Sequence, residues 1–166
     1  MKDDDGALVR RALYECALFS GLDNAHRDLV CKVAEARTLL AGAPIFLLGQ
    51  EASEVLVIAD GGVALQLPVA IRGKGADITI EEKGPGDVIA WSALVAPHKL
   101  TLSARTLARS TLVALRRDDL HALFHEHPVI HQKTIENLCH VIGSRVALLE
   151  ALLMRDLQRW VVERFG

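Results

Sequence analysis

The sequence is poor in aromatic residues, in cysteine and in net charge. Of its 166 residues only 4% are aromatic and three are cysteines, and 19 basic residues oppose 21 acidic ones for a net charge of -2. The odd number and wide spacing of Cys16, Cys31 and Cys139 argue against a disulfide framework and a paired-cysteine metal site, so we interpret all three as small buried residues. Because no block of basic residues is present, we expect no direct nucleic-acid binding by this chain.

The sequence also lacks a recognisable signal peptide and a long uninterrupted apolar run. Its opening residues 1–6 are acidic and polar, whereas a signal peptide needs a basic start followed by an apolar stretch. The longest apolar stretches are interrupted by Gly42 and Pro44 or by Glu150, short of the roughly 20 residues that span a bilayer. With 51% hydrophobic and 24% charged residues, the chain is typical of one soluble globular domain. We therefore predict a cytoplasmic protein that does not enter a membrane.

Helical periodicity at the start of the chain gives way to short strands. Apolar spacing predicts helices over residues 7–19 and 23–36, the second capped by Asp23. About eight short apolar runs follow, separated by glycine-rich turns. They cover residues 38–41, 45–48, 54–59, 63–68, 78–80, 88–90, 102–108 and 111–115. Regularly spaced short strands of this kind favour a jelly roll or a small barrel.

The helical period returns near the end of the chain. A short helix is predicted from Arg117, with Asp118 as its cap, and Pro128 suits the first position of a second helix. That second helix would be about 55 Å long, which exceeds the diameter of a domain of this size. We predict that its apolar stripe between Ile135 and Trp160 pairs with a second copy to form a homodimer. The alternative is that the stripe packs back on the barrel of its own subunit.

Several short segments, taken in order, resemble one known family. They are residues 18–22 (LFSGL), 41–46 (AGAPIF) with Gly49, 58–63 (IADGGV) and 84–89 (GPGDVI). Together they resemble the cyclic-nucleotide-binding domain of the catabolite-activator (Crp/Fnr-like) superfamily over about residues 15–165. The resemblance implies a mainly β, α+β fold: a double-stranded β-helix (jelly roll) flanked by two N-terminal helices and by a short and a long C-terminal helix. The implied organisation is one domain, with helices in residues 1–36, the barrel in 37–116 and helices in 117–166.

In that family a phosphate-binding cassette follows the last of these segments. Backbone N–H groups of a short helix and one arginine hold the cyclic phosphate, while a glutamate holds the ribose hydroxyl. Residues 90–104 (AWSALVAPHKLTLSA) occupy the cassette here. Trp91 stands at the glutamate position, Leu100 stands at the arginine position unless a one-residue shift brings Lys99 there, and Ala90 replaces a glycine. These departures remove most of the polar recognition of cAMP or cGMP, so no cofactor is certain and these two are the candidates that the resemblance implies.

The residues that we predict to form a ligand site belong to this cassette and to the turn before it. They are Gly86, Ala90, Trp91, Ser92, Ala93, Lys99, Leu100, Thr101 and Ser103. Such a pocket suits another anionic or aromatic small molecule, with Trp91 either stacking on it or filling the space. The predicted function is a stand-alone regulatory or sensor domain in signal transduction. The alternative is a ligand-free dimeric protein-interaction module that retains the fold.

The remaining patterns indicate neither an enzyme nor a metal site. Five histidines lie between His121 and His140, but Glu126 follows His125, whereas a zinc protease needs its glutamate directly after the first histidine of the pair. No nucleophile elbow or Walker-type loop is present in the sequence. Family transcription factors continue into a winged helix-turn-helix after the long helix, and this sequence ends at Gly166, so we expect no DNA contact by this chain.

Overall fold

The computed structural model describes residues 2–71 and 74–165, which form four α-helices and eight β-strands. Two short 3₁₀ turns, Ala17–Phe19 and Trp91–Leu94, lie between these elements. The elements in chain order are α1 (Lys2–Glu15), α2 (Asn24–Lys32), β1 (Ala34–Leu39), β2 (Pro44–Phe46), β3 (Glu54–Asp60), β4 (Val63–Ile71), β5 (Lys74–Lys83), β6 (Val88–Ile89), β7 (Ser103–Thr106), β8 (Ser110–Arg116), α3 (Arg117–Glu126) and α4 (Pro128–Phe165).

The strands form two antiparallel four-stranded sheets. Their strand orders are β1-β8-β3-β6 and β2-β7-β4-β5. Strands far apart in sequence pair directly, as in β1 with β8, where Ala34 lies opposite Leu115. This arrangement confirms the jelly roll predicted from the glycine-separated strands.

The central strands β3 and β8 are buried on both faces. Val55 and Val57 belong to the apolar cluster beneath the helices, whereas Leu56 and Ile58 belong to the cluster between the two sheets. Successive side chains of a strand point to opposite faces, so one sheet packs against helices on one side and against the other sheet on the other. Burial of both faces explains why residues 55–59 form a continuous apolar run rather than an alternating one.

Local sequence signals located the helices but missed some of their ends. Asp23 caps α2 as predicted: its carboxylate accepts the His26 N–H at 2.8 Å, and this bond holds the pKa of the carboxyl below its usual range. The predicted end of the second helix at Ala36 is wrong, since residues 34–36 pair with β8 as the start of β1. Asp118 is not the cap of α3 either, because Arg116 holds that position and Asp118 lies in the first turn.

The three cysteines differ in burial. Cys16 is buried, which raises the pKa of its thiol to about 11. Cys31 is partly buried and Cys139 is exposed on α4. The interpretation of all three as buried residues is therefore correct for Cys16 and wrong for Cys139.

The long helix α4 is only partly packed on the barrel. It begins at Pro128 as predicted, and the three buried residues of its 38 are Ile130, Thr134 and Leu138. The amide of Asn137 fastens this part of α4 to the N-terminal turn by donating to the carbonyls of Leu18 and Ser20 at 3.1 and 2.9 Å. Beyond this part, most apolar residues of α4 are exposed.

Within the described residues, α4 is the one helix long and apolar enough to cross a membrane. The sequence contains no uninterrupted apolar run of this length, since Glu150 interrupts the apolar stretch of α4. Length and composition alone are weak support for a membrane span, since a helix that associates with another protein has the same properties.

The turn between β3 and β4 gives a test of this topology. Gly61 has φ +85°, and a Cβ there would lie 2.6 Å from the carbonyl oxygen of Arg109. We expect Gly61→Ala to lower the free energy of unfolding by about 2–4 kcal/mol, since both the backbone conformation and the clash oppose it. Gly143→Ala in α4, where a Cβ would meet nothing within 4 Å, should instead add about 1 kcal/mol. Urea unfolding at one protein concentration compares the two, and equal stabilities would contradict the tight turn.

Candidate functional site

A cavity of about 430 Å³ lies among strands of both sheets, the Trp91–Leu94 turn and α4. The sheet β2-β7-β4-β5 contributes Phe46 and Leu65 to its wall, and α4 contributes Val141 and Leu148. This volume falls within the range in which proteins bury most of a small organic molecule. The cavity is therefore the candidate ligand site.

Two residues with positive φ shape the backbone around the start of the cassette. Gly86 has φ +86°, and its N–H donates to the carbonyl of Ile58 at 2.8 Å. Ala90 begins the Trp91–Leu94 turn in the left-handed region, with φ 54° and ψ 25°. Glycine adopts this conformation without steric cost and alanine does not. Ala90 therefore holds a backbone conformation that carries a steric cost for its Cβ.

Six of the nine predicted site residues line the cavity. They are Gly86, Ala90, Trp91, Ser92, Leu100 and Thr101. Trp91 is partly exposed and packs its apolar surface on the core beside the cavity. An open volume remains next to the indole, so Trp91 forms part of the wall and does not fill the space.

The other three predicted residues lie outside the cavity lining. Ala93 is fully buried in the core. Lys99 is exposed, and its backbone forms an isolated bridge with Glu51. Ser103 is buried on β7, where its hydroxyl accepts the N–H of Leu48 at 3.0 Å. Lys99 is therefore outside the cavity lining, whereas the neighbouring Leu100 is part of it.

The cavity also contains charged residues that no motif in the sequence indicates. Glu81 and Lys83 on β5 line it, together with Arg145 on α4. The Lys83 ammonium lies 2.5 Å from a Glu81 carboxylate oxygen, and the Arg145 guanidinium donates to the other oxygen. The side chain of Arg145 is only 16% exposed. Arg145 lines the cavity from the helix face that also carries Val141.

A weak sequence signal for these charges existed. Glu81 and Lys83 are two residues apart, the spacing that puts side chains on one face of a strand. Arg145 follows Val141 by four residues, which puts the two on one face of a helix. Neither spacing indicates that β5 and α4 come together. The cluster is evident only in the tertiary structure, where Arg145 contacts Glu81.

The histidines of the C-terminal region do not converge on a metal. In residues 2–71 and 74–165 no three His, Cys, Asp or Glu side chains are placed to bind one ion. His131 stacks on Phe124 with ring centroids 5.0 Å apart, and His127 meets the edge of His26. These histidines take part in the contacts among α2, α3 and α4.

Comparison with known proteins gives consistent results. A family profile described as cyclic nucleotide-binding domain matches residues 36–127. The transcriptional regulator Cmr of Mycobacterium tuberculosis, described as helix-turn-helix type, is 26% identical over 95% of this chain and 65% of its own. The Cyclic AMP receptor protein of Thermus thermophilus is 29% identical over 84% of this chain and 61% of its own. This chain thus spans slightly less than two thirds of the length of these curated relatives.

Solved structures share the fold. The catabolite activator protein of Thermus thermophilus superposes with a TM-score of 0.68 and 27% identity, over 86% of this chain and 63% of its own. A cyclic nucleotide-binding domain from Methylobacillus flagellatus covers 99% of this chain and 86% of its own, with a TM-score of 0.67 and 20% identity. The order of helices and strands predicted from the sequence is confirmed by these neighbours.

The hydroxyls of Ser103 and Ser92 should have different effects on stability. Ser103→Ala leaves the Leu48 N–H without its partner, so we expect a loss of about 1 kcal/mol. Ser92→Ala, in the cavity wall, should change the stability by less than half as much. Thermal unfolding of the two variants makes the comparison, and an equal loss would place both hydroxyls in the same structural role.

Proposed function

This chain belongs to the cyclic nucleotide-binding domain family, and on that premise we propose that it is a ligand-sensing regulatory domain with a non-standard pocket. The observation that carries the proposal is the open cavity of about 430 Å³ beside Trp91 and Leu100. A domain that had lost its ligand would be expected to fill this space with side chains, because empty volume in a core is destabilising. We also propose that residues 1–36, 37–116 and 117–166 act together as one domain.

The residues of the cavity wall support a ligand that is bound by other contacts than the glutamate and arginine of the family cassette. Trp91 offers a flat apolar surface, while Ser92 and Thr101 offer hydroxyl groups. Aromatic rings stack well on an indole. The pocket is therefore suited to a small molecule that combines a planar ring with polar groups.

The position of the cavity supports a regulatory mechanism. Val141 and Leu148 of α4 line it together with residues of the barrel. A bound molecule would contact the barrel and α4 at once, so its affinity would depend on the position of α4 relative to the barrel. A ligand that binds one helix position better than another shifts the population towards it.

The exposed stripe of α4 supports the homodimer. Ile142, Val146, Leu149 and Leu153 follow one another at intervals of four, three and four residues, the spacing of a coiled-coil seam. The last three are 48%, 47% and 59% exposed in the single chain. Arg145 lines the cavity and so adds no charge to this stripe. A second copy would cover it with an identical stripe.

Ligand binding is tested by thermal shift and calorimetry with cAMP, cGMP, cyclic dinucleotides, AMP and small aromatic carboxylates. A ligand at a hundred times its Kd should add about 2.7 kcal/mol of stability. Ala17→Trp places an indole at an exposed position of the cavity lining and should abolish the shift. Ala25→Trp, exposed on α2 outside the cavity lining, is the matched control and should retain it. Absence of any shift would favour the ligand-free interaction module.

The dimer is tested by light scattering during size-exclusion chromatography. We expect the native chain to be a dimer and Leu149→Glu with Leu153→Glu to be a monomer, since the seam would then bury unpaired carboxylates. Ala151→Glu with Gln158→Glu adds the same charge on the other side of the helix and should remain dimeric. A native chain that is monomeric at tens of micromolar would contradict the proposal.

A further inference from the structure

Four charged side chains line the cavity: Glu81, Lys83, Asp87 and Arg145. Lys83 and Arg145 both bond to the carboxylate of Glu81, and we call these three residues the charge triad. Asp87 is not ion-paired with these three residues; its carboxylate accepts the N–H of Gly84 at 2.9 Å and keeps its negative charge in the cavity lining. The charge triad thus has two cations for one carboxylate and carries one net positive charge.

The fold itself builds this triad. Phe46, Ala104, Leu65 and Glu81 lie opposite one another on neighbouring strands, so they form one row across the sheet. Residues paired in this way share a face, and the row ends at Glu81 on the edge strand β5. Lys83 lies two residues further along the same face. Arg145 reaches this edge from α4, which brings together charges that are 64 positions apart in sequence.

Partial burial makes the triad a strong site for an anion. The side chains of Arg145, Glu81 and Lys83 are 16%, 20% and 25% exposed. Charges with this little exposure are screened less by salt than charges on an open surface. An arginine has five N–H donors, and within the described residues Glu81 is its only side-chain partner. Donors therefore remain for a ligand.

The cassette contributes no comparable group to the cavity. The described cassette residues that line the cavity, such as Trp91, Leu100 and Thr101, are all uncharged. The charged end of a ligand is thus favoured at the triad. Its planar part is favoured against Trp91.

We propose that Lys83 and Arg145 bind the anionic group of the ligand, that Glu81 holds these two cations in place, and that the preferred ligand carries a single negative charge on a molecule with a planar ring. The inference rests on the proposed ligand-sensing function and specifies its contacts. One negative charge neutralises the triad, and phosphodiester and carboxylate groups both carry one. A second charge would be repelled by Glu81 and Asp87.

The triad also explains how ligand binding would change the position of α4. Lys83 belongs to the barrel and Arg145 to α4, so an anion bound by both links the two parts. The ligand would then stabilise the helix position in which Arg145 reaches the cavity.

The test is isothermal titration of the full chain with three probes. The probes are cAMP as a phosphodiester, AMP as the same base with a doubly charged phosphate, and indole-3-acetate as an aromatic carboxylate. We expect cAMP or indole-3-acetate to bind more tightly than AMP, and the stronger of the two identifies the anionic group. Arg145→Gln and Lys83→Gln should each weaken that binding by roughly tenfold or more.

Two controls separate this effect from general changes in charge. Arg155→Gln removes a cation of α4 that is 65% exposed, and Lys99→Gln removes the exposed lysine of the cassette. Both should leave the affinity within about twofold. Arg145→Lys keeps the charge and should retain more binding than Arg145→Gln. Glu81→Gln raises the net charge of the triad, so the ratio of AMP affinity to cAMP affinity should increase, a change that a purely structural role would not produce.

The outcomes are distinct. If a probe binds the native chain and binds Arg145→Gln and Lys83→Gln equally well, the inference is overturned and the proposed ligand-sensing function stands. Tighter binding of AMP than of either singly charged probe overturns the single-charge preference. If no probe binds, both by calorimetry and by the fluorescence of Trp91 in a Trp160→Phe variant, this inference and the proposed function both fail.

Discussion

A helix of 38 residues, about 57 Å long at 1.5 Å per residue, has Ile130, Thr134 and Leu138 buried near its start, where it packs against the Ala17–Phe19 turn and α3. The amide of Asn137 fixes the start of this helix to the N-terminal turn through the carbonyls of Leu18 and Ser20. The direction of α4 is thereby set, and Val141, Arg145 and Leu148 come to line the cavity. The cavity owes one wall to this packing, and the exposed stripe exists because the helix is longer than its support.

Charge in the cavity has a different origin from the one that the resemblance implies. The cassette contributes a shaped backbone, with Ala90 in the left-handed region, and a mostly apolar wall at Trp91 and Leu100. The cations come from β5 and α4, where Lys83 and Arg145 share Glu81. In such an arrangement the polar contacts of a ligand would lie at the junction of barrel and helix. Recognition and the response of the helix would then depend on the same side chains.

Two faces of α4 have different roles. Val141, Arg145 and Leu148 face the cavity, whereas Val146, Leu149 and Leu153 remain exposed about a quarter of a turn away. A shift of α4 at the cavity would also displace the exposed stripe, since both faces belong to one helix. In a dimer built on the exposed stripe, occupancy of one cavity would therefore be felt by the partner.

The sequence by itself determined the elements and their order, because short-range periodicity and turn residues report local structure. It correctly assigned the jelly roll, Asp23 as a cap and Pro128 as the start of the long helix. Tertiary structure alone decided that residues 34–36 form a strand, because their pairing with β8 outweighs a local helical pattern. It also decided that Lys99 lies outside the cavity and that Arg145 lies within it. Both facts depend on the register of distant strands and on the position of α4 beside the barrel. The local spacing of residues does not determine how segments far apart in sequence are placed relative to one another.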